Sequence, residues 1–164
     1  LGNIVDAKSM SNLTAQRLQK LTAIKFDSLP LDLAIKTVKG NGKRKVAVFS
    51  DPDCPYCKRL EKDLVNITDV TIYTFLYPIA SLHPDAERKS KAIWCASNRQ
   101  KAWDDFMLRG VAPAEKTCDT PIEQIQAVGQ KHKMNGTPTL VFADGRVVPG
   151  AIPASDMESY LNGK

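Results

Sequence analysis

The chain has 164 residues, of which 43% are apolar and 25% are charged, and its formal net charge is +5 at pH 7. This composition is typical of a globular protein of about one domain and excludes a chain that is mainly disordered. No apolar run is long enough for a membrane-spanning helix, and the densest basic cluster, Lys43-Arg44-Lys45, lacks the interleaved aromatic residues of a nucleic-acid interface.

The first third of the chain is predicted to hold a polar arm, one helix and two strands. Residues 1–12 are a short, polar segment, which predicts the arm. Apolar residues at helical spacing then follow a capping asparagine, and alternating and continuous apolar runs come after them. The predicted elements are a weak helix from Asn12 to about Lys25, a strand over Leu31–Val38, a turn at Gly40-Asn41-Gly42 and a buried strand over Lys45–Ser50.

The rest of the chain predicts more helices and strands, with a helical segment in the middle. A helix from about Pro55 to Ile67 has apolar residues on one face, and it is followed by a strand rich in β-branched and aromatic residues. Two segments match the capping box of a helix start. The apolar face of the helix that begins at about Pro55 consists of Tyr56, Leu60, Leu64 and Ile67. The later elements are a strand over Val70–Leu76, a helix with Pro84 as its first residue, a capped helix from Thr120-Pro121-Ile122-Glu123 to about Lys133, a hairpin of Thr139–Ala143 and Arg146–Val148 around Asp144-Gly145, and a last helix at Ser155-Asp156-Met157-Glu158.

This order of elements predicts an α/β fold with a central mixed sheet flanked by helices. From residue 45 onward a βαβ unit is followed, after a helical insert at about 80–118, by a helix, a β-hairpin and a final helix. The first unit predicts a parallel pair of strands with a right-handed crossover. The hairpin must join the same sheet to bury its apolar face.

The strongest chemical signal is the C-x-x-C motif Cys54-Pro55-Tyr56-Cys57, which lies between a buried strand and a helix. At a helix N-terminus, unpaired N–H groups and the helix dipole favour negative charge, so the first sulfur is expected to form a reactive thiolate. The second sulfur lies one helical turn further on and can close a small disulfide ring. We therefore predict that Cys54 is the nucleophile and Cys57 the resolving thiol.

The main alternative for these cysteines is a structural zinc site. Such a site needs four ligands, commonly arranged as two close pairs. The other two cysteines, Cys95 and Cys118, are far apart, and neither His83 nor His132 has a partner at zinc spacing. We therefore expect a redox pair and no metal.

A second signal is the sequence Gly136-Thr137-Pro138, which stands directly before a predicted strand. A proline at the start of a strand is tolerated for steric reasons alone. A cis peptide bond before Pro138 would instead turn the backbone of Thr137 toward Cys54, where its N–H and C=O could pair with an extended substrate. The sequence leaves the cis and trans forms open.

The two remaining cysteines, Cys95 and Cys118, lie on either side of the loop 110–116. A redox pair must stay free to cycle, so a structural disulfide between Cys95 and Cys118 is the consistent pairing. Two free buried thiols are the alternative and would fit a cytosolic protein. The disulfide would imply an oxidising compartment.

Several of these segments together resemble the DsbC/DsbG family of periplasmic disulfide isomerases. The similar segments are Phe49–Leu60, Ala92–Ala96, Ala102–Asp105, Gly136–Pro138 and Val148–Gly150, in the same order. The resemblance covers about residues 45–162. It implies a thioredoxin-like fold with a helical insertion, a non-catalytic disulfide at Cys95 and Cys118, and a cis proline at Pro138.

The resemblance also predicts a domain organisation and partners. Residues 1–13 are expected to be the tail of a missing N-terminal dimerisation domain, residues 14–25 a linker helix, and residues 26–164 the catalytic domain. The family implies a homodimeric full-length protein in the periplasm that is kept reduced by a membrane reductase of the DsbD type. This fragment alone is expected to be a monomer, and no nucleic-acid partner is expected.

The predicted function is thiol–disulfide interchange on misfolded or mis-oxidised secreted proteins, with no cofactor. Cys54 is expected to attack a wrong disulfide, and either a substrate thiol or Cys57 then resolves the mixed disulfide, giving isomerisation or reduction. Pro55, Tyr56, Thr137 and Pro138 are expected to contact the substrate. Two alternatives stay open: a dithiol oxidase of the same fold, because the dipeptide between the cysteines influences the redox balance, and a holdase-type chaperone that does not need its thiols.

Overall fold

A mixed sheet of five strands organises the part of the chain that the computed structural model describes, residues 23–164. The strands lie in the order β1-β3-β2-β4-β5. Only β2 and β3 are parallel to each other, and every other neighbouring pair in this sheet is antiparallel. The strands are β1 (Ile35–Lys39), β2 (Arg44–Ser50), β3 (Val70–Leu76), β4 (Thr139–Phe142) and β5 (Val147–Pro149).

Five α-helices in the described residues connect and cover these strands. One of them links the parallel pair β2 and β3, as a crossover connection requires. Two lie consecutively between β3 and the helix that precedes β4, in the segment predicted as a helical insert. The helices are α1 (Pro55–Leu64), α2 (Ala86–Cys95), α3 (Arg99–Arg109), α4 (Ile122–Lys131) and α5 (Ala154–Leu161). None of the helices in residues 23–164 has the length and apolar character that crossing a bilayer requires.

The two faces of the sheet bury separate apolar clusters because successive side chains of a strand point to opposite faces. Ala47 and Phe49 of β2 pack on the α4 side, and Val46 and Val48 pack on the side of α1 and α5. A third cluster joins the insert helices α2 and α3 to the start of α1. This third cluster contains both cysteines of the C-x-x-C motif, so the insert forms part of the surroundings of the site.

The thioredoxin-like α/β architecture and the order of the later elements are confirmed. Strand β3 has the predicted bounds, β2 begins one residue earlier than predicted, and the hairpin of β4 and β5 joins the sheet through β4. The parallel pairing of β2 and β3 is also confirmed. Strand β3 is buried throughout and β2 is buried from Val46 to Ser50, which explains why their apolar and β-branched residues were sufficient to predict them.

The prediction for the region before β2 is wrong in part. A strand was expected over Leu31–Val38, but residues Leu31–Leu33 form a 3₁₀-helix and β1 begins at Ile35. The N–H of Leu33 donates to the carbonyl of Pro30, so turn hydrogen bonds occupy the backbone before the strand can begin. Another 3₁₀-helix spans Phe26–Ser28. The helix predicted from Asn12 to Lys25 lies largely outside the described residues, and residues 23–25 are not helical.

Both predicted capping boxes are wrong. Helix α4 has Pro121 at its N-cap, and helix α5 has Pro153 there, in each case without a hydrogen bond from a capping side chain. Ser155 therefore lies inside α5 instead of before it. The fixed φ of proline determines these helix starts, and the nearby hydroxyl residue does not.

Four smaller predictions about helices also need correction. Helix α1 ends at Leu64, three residues before Ile67, and α4 ends at Lys131, because Lys133 adopts a left-handed φ of 58°. Pro84 lies in a turn before α2 and is not its first residue. Tyr56 was placed on the buried face of α1, but it is 61% exposed, since neither the sheet nor the insert covers that side of the first turn.

Candidate active site

Cys54 lies where strand β2 passes into helix α1. It is the N-cap residue of α1, with an extended backbone (φ −79°, ψ 122°), and Pro55 is the first helical residue. Proline suits this position because its fixed φ matches the helix and the N–H that it lacks would have no partner there. The C-x-x-C motif thus folds as its local sequence predicts, with the first sulfur at the helix N-terminus.

The sulfur of Cys54 faces the loop that precedes β4. The thiol donates a hydrogen bond to the carbonyl oxygen of Thr137 at a distance of 3.4 Å, and the peptide bond between Thr137 and Pro138 is cis. Cys54 is 5% exposed and makes no capping hydrogen bond with its side chain. The fold therefore brings the two sequence signals, the cysteine motif and Gly136-Thr137-Pro138, into direct contact.

The second cysteine of the motif has a different environment. Cys57 is completely buried, and the backbone N–H of Asp51 points at its sulfur from 3.4 Å. Burial raises the pKa of the Cys57 thiol from 9.0 to about 12, although the hydrogen bond from the backbone N–H of Asp51 partly opposes this effect. Cys57 is therefore a neutral thiol at physiological pH. Both cysteines of the motif are free and are not joined by a disulfide.

A buried tyrosine supports the loop that carries the cis proline. The hydroxyl of Tyr77 donates a hydrogen bond of 2.8 Å to the carbonyl of Met134, and its backbone N–H donates to the carbonyl of Ser50. The ring of Tyr77 fills the space beside Gly129, where a Cβ atom would come within 2.3 Å of it. Tyr77 thus connects the end of β2 to the cis-proline loop. Sequence reasoning missed this contact, although a glycine inside a helix often signals such a close approach.

The residues predicted to contact substrate surround the exposed edge of the site. Pro55 and Tyr56 are exposed on the first turn of α1, whereas Thr137 is half-buried and Pro138 is buried. Next to Thr137 and Pro138 an open groove of about 500 Å³ continues along the surface toward β5. Its apolar lining includes Met134, Val147 and Pro149.

The other two cysteines are joined by a disulfide bond. Cys95, at the C-terminus of α2, is bonded to Cys118, which precedes α4, and the two Cα atoms are 5.7 Å apart. Cys95 belongs to the apolar cluster that also contains Cys54 and Cys57. In residues 23–164 no three histidine, cysteine, aspartate or glutamate side chains are grouped so that they could hold a metal ion.

A buried glutamate on α1 was not anticipated from the sequence. Glu61 lies one turn after Cys57 and accepts a hydrogen bond of 2.9 Å from the indole N–H of Trp103 on α3. Burial raises the pKa of the Glu61 carboxyl from 4.5 to about 7, and the charge of Asp104 adds to this effect. The carboxyl borders a cavity of about 140 Å³ between α1, α3 and β1.

The raised pKa of Glu61 predicts a pH-dependent difference between the wild-type protein and Glu61→Gln. A folded-state pKa above the unfolded value favours folding at low pH, and this advantage is lost as the pH rises through the folded-state pKa. Glutamine stays neutral and keeps an acceptor for Trp103. We expect the free energy of unfolding of Glu61→Gln to rise, relative to that of the wild type, by about 2 kcal/mol as the pH is raised from 5 to 8. Urea unfolding at four pH values, followed by tryptophan fluorescence, measures this gain.

Glu123, which is exposed in the first turn of α4, offers the matched control. Glu123→Gln should follow the wild-type pH dependence throughout the same range. A difference between Glu61→Gln and wild type that did not change with pH would contradict the assignment.

Comparison with known proteins agrees with the fold. Residues 31–163 match the family described as thioredoxin-like domain. The chain is 46% identical over 160 residues to the probable thiol:disulfide interchange protein DsbC of Bordetella parapertussis, covering 98% of this chain and 57% of that protein. It is 37% identical over 123 residues to the thiol:disulfide interchange protein DsbC of Escherichia coli, covering 73% of this chain and 51% of that protein. The chain thus spans little more than half the length of these relatives.

Solved structures show the same relationship. The disulfide interchange protein of Neisseria gonorrhoeae is 51% identical to this chain, with a TM-score of 0.80, and the match covers 82% of this chain and 97% of that one. A variant of Proteus mirabilis ScsC shares the fold, with a TM-score of 0.67 at 18% identity over 99% of this chain and 91% of that one. The chain therefore belongs to the thioredoxin-like family, in the DsbC group of thiol:disulfide interchange proteins.

Proposed function

We propose that this domain catalyses thiol–disulfide exchange through Cys54 and Cys57 and thereby isomerises or reduces incorrect disulfides in secreted proteins. The observation that carries the proposal is the asymmetry of the pair. Cys54 caps a helix and faces the cis-proline loop, whereas Cys57 is fully buried and neutral one turn later. This arrangement gives the two sulfurs separate roles as nucleophile and resolving thiol.

The reaction begins when the thiolate of Cys54 attacks one sulfur of a substrate disulfide. The substrate S–S bond breaks, a mixed disulfide forms, and the departing sulfur leaves as a thiolate that takes a proton from solvent. Isomerisation follows when another substrate thiolate attacks the mixed disulfide and releases Cys54, so that the pair stays reduced. Reduction follows when Cys57 loses its proton and attacks the sulfur of Cys54. The mixed disulfide then breaks, the substrate sulfur leaves as a thiolate, and the pair becomes a disulfide, so that two electrons have passed to the substrate.

Substrate binding is proposed at the exposed edge of the site. Pro55 and Tyr56 project from the first turn of α1, and Thr137 and Pro138 form the opposite wall beside the apolar groove. An extended and partly unfolded chain fits such a surface, because backbone groups can pair with the loop while apolar side chains enter the groove. This surface selects unfolded segments and not one particular sequence.

The location and partners are inferred from the family and from the second disulfide. The bond between Cys95 and Cys118 is typical of an oxidising compartment. We infer that the protein acts in the periplasm, that a membrane reductase of the DsbD type returns the oxidised pair to the dithiol state, and that the full-length protein is a homodimer. The exchange itself requires no cofactor.

Refolding of scrambled ribonuclease tests the proposal. The reduced domain should restore ribonuclease activity, and alkylation of its accessible thiol with iodoacetamide should abolish this effect. If the alkylated domain still prevented aggregation and restored as much activity, a holdase would be the correct function. Equilibration with glutathione measures the redox potential of the pair and so separates an isomerase or reductase from an oxidase. An oxidase would also transfer its disulfide to reduced ribonuclease in a single turnover.

A further inference from the structure

Asp51 contacts both cysteines of the motif through its backbone. Its N–H points at the sulfur of Cys57 from 3.4 Å, and its carbonyl accepts a hydrogen bond of 3.1 Å from the N–H of Cys54. Asp51 is the first residue after β2, so its position determines where the connection to α1 begins. A shift of this residue would move the N–H next to the sulfur of Cys57 and the carbonyl that holds the backbone of Cys54.

The side chain of Asp51 is a carboxylate with no exposed surface. One of its oxygens accepts the N–H of Asp53 at 2.8 Å, and the other accepts the N–H of Ile79 at 2.9 Å. The ring of His83 supplies a third contact, with 2.9 Å between its Nδ1 and the second oxygen. His83 is thus the side-chain partner of this buried carboxylate within residues 23–164, and its own side chain is 22% exposed.

Two other charged groups near this connection, Lys89 and Asp53, are paired with each other. Lys89 forms an ion pair of 2.6 Å with Asp53, and the ammonium group of Lys89 lies over the ring of Phe106. The balance of the Asp51 charge therefore depends on His83 and on two backbone N–H groups. A buried carboxylate that loses such a partner is strongly disfavoured, and the residues around it shift in response.

We propose that His83 is a positioning residue of the redox pair, which acts by holding the carboxylate of Asp51. The inference rests on the proposed function of Cys54 and Cys57. Without the imidazole, the connection between β2 and α1 loosens, and the negative charge of Asp51, whose backbone contacts both cysteines, is less well balanced. Both changes disfavour the thiolate of Cys54 and so shift the dithiol–disulfide equilibrium toward the disulfide.

The experiment compares His83→Leu and His83→Asn with the wild-type domain. Each protein is equilibrated with glutathione, so that one dithiol and one glutathione disulfide yield one protein disulfide and two glutathione thiols. We expect His83→Leu to raise this equilibrium constant about fivefold and to slow the alkylation of Cys54 at pH 7 by a similar factor. His83→Asn should restore both values to within about twofold of wild type, because its amide nitrogen can take the place of Nδ1.

Ser81 provides a control in the same connection between β3 and α2, since its side chain is exposed. Ser81→Leu introduces the same leucine two residues away and should leave both measurements unchanged. Wild-type values in His83→Leu, or an equal shift in His83→Asn and His83→Leu, would overturn the inference. If His83→Leu does not fold, His83→Gln replaces it, because the glutamine amide cannot reach the position of Nδ1. Failure of the wild-type pair to exchange with glutathione would contradict the proposed function instead.

Discussion

Cys54→Ser is expected to abolish disulfide exchange, whereas Cys57→Ser is expected to accumulate mixed disulfides with substrate. Serine is nearly isosteric with cysteine but is a much poorer nucleophile, so the first variant loses the attacking atom. In the second variant the attack proceeds, but the domain's own resolving thiol is absent. Refolding of scrambled ribonuclease measures the loss, which should reach the uncatalysed rate. Non-reducing electrophoresis detects the trapped complexes.

A matched control is Ser155→Ala, a change of similar size at an exposed position of α5. It should retain wild-type activity. The same variants test the difference in reactivity between the two thiols. Because Cys57 is buried and its pKa is raised to about 12, iodoacetamide should label Cys54 almost alone at pH 7. Exchange activity that persisted in Cys54→Ser, or rapid labelling of Cys57, would show that the roles are assigned wrongly.

Removal of the second disulfide should destabilise the domain without altering the chemistry of the first cysteine pair. In the chain-entropy description, a cross-link across the 23 residues that separate Cys95 and Cys118 stabilises the folded state by about 3 kcal/mol. We therefore expect Cys95→Ala/Cys118→Ala to lower the free energy of unfolding by about this amount. Urea unfolding at pH 7 measures the change, and the equilibrium with glutathione reports on the active pair.

The variant Cys54→Ser/Cys57→Ser, which keeps the bond between Cys95 and Cys118, is the reference for this experiment, since only the second disulfide can then respond to reductant. A reductant should destabilise that reference protein and leave Cys95→Ala/Cys118→Ala unaffected. An unchanged urea midpoint in Cys95→Ala/Cys118→Ala would mean that the bond does not constrain the unfolded chain. A large change in the glutathione equilibrium would mean that the insert controls the active pair through this bond.

The local features of the site were accessible from the sequence. A continuous apolar strand followed by Cys54 and Pro55 predicted a sulfur at a helix N-terminus, and the structure has Cys54 at the N-cap. Strand β3 had the predicted bounds because all seven of its residues are buried and its run of β-branched and aromatic residues is typical of a strand. These properties depend on neighbouring residues only, so a single sequence carries them.

Where hydroxyl residues competed with prolines for a helix start, the local pattern was misleading. Thr120 and Ser155 matched capping boxes, but Pro121 and Pro153 occupy the N-cap positions. The alternation around Leu31 predicted a strand, but turn hydrogen bonds, one of them to the carbonyl of Pro30, produced a 3₁₀-helix. In both regions, backbone constraints from proline outweighed a side-chain pattern that several conformations can share.

By itself the sequence determined the strands β2 and β3, the order of the later elements and the position of the cysteine motif, because apolar runs and the chemistry of a cysteine before a helix act over a few residues. Only the tertiary structure decided which groups surround the two sulfurs. The partners of the site lie far apart in the chain: Cys54 and Thr137 are separated by 83 residues, Trp103 and Glu61 by 42, and His83 and Asp51 by 32. Such contacts arise from the packing of whole elements, and the burial that results sets the charge state of Cys57 and Glu61.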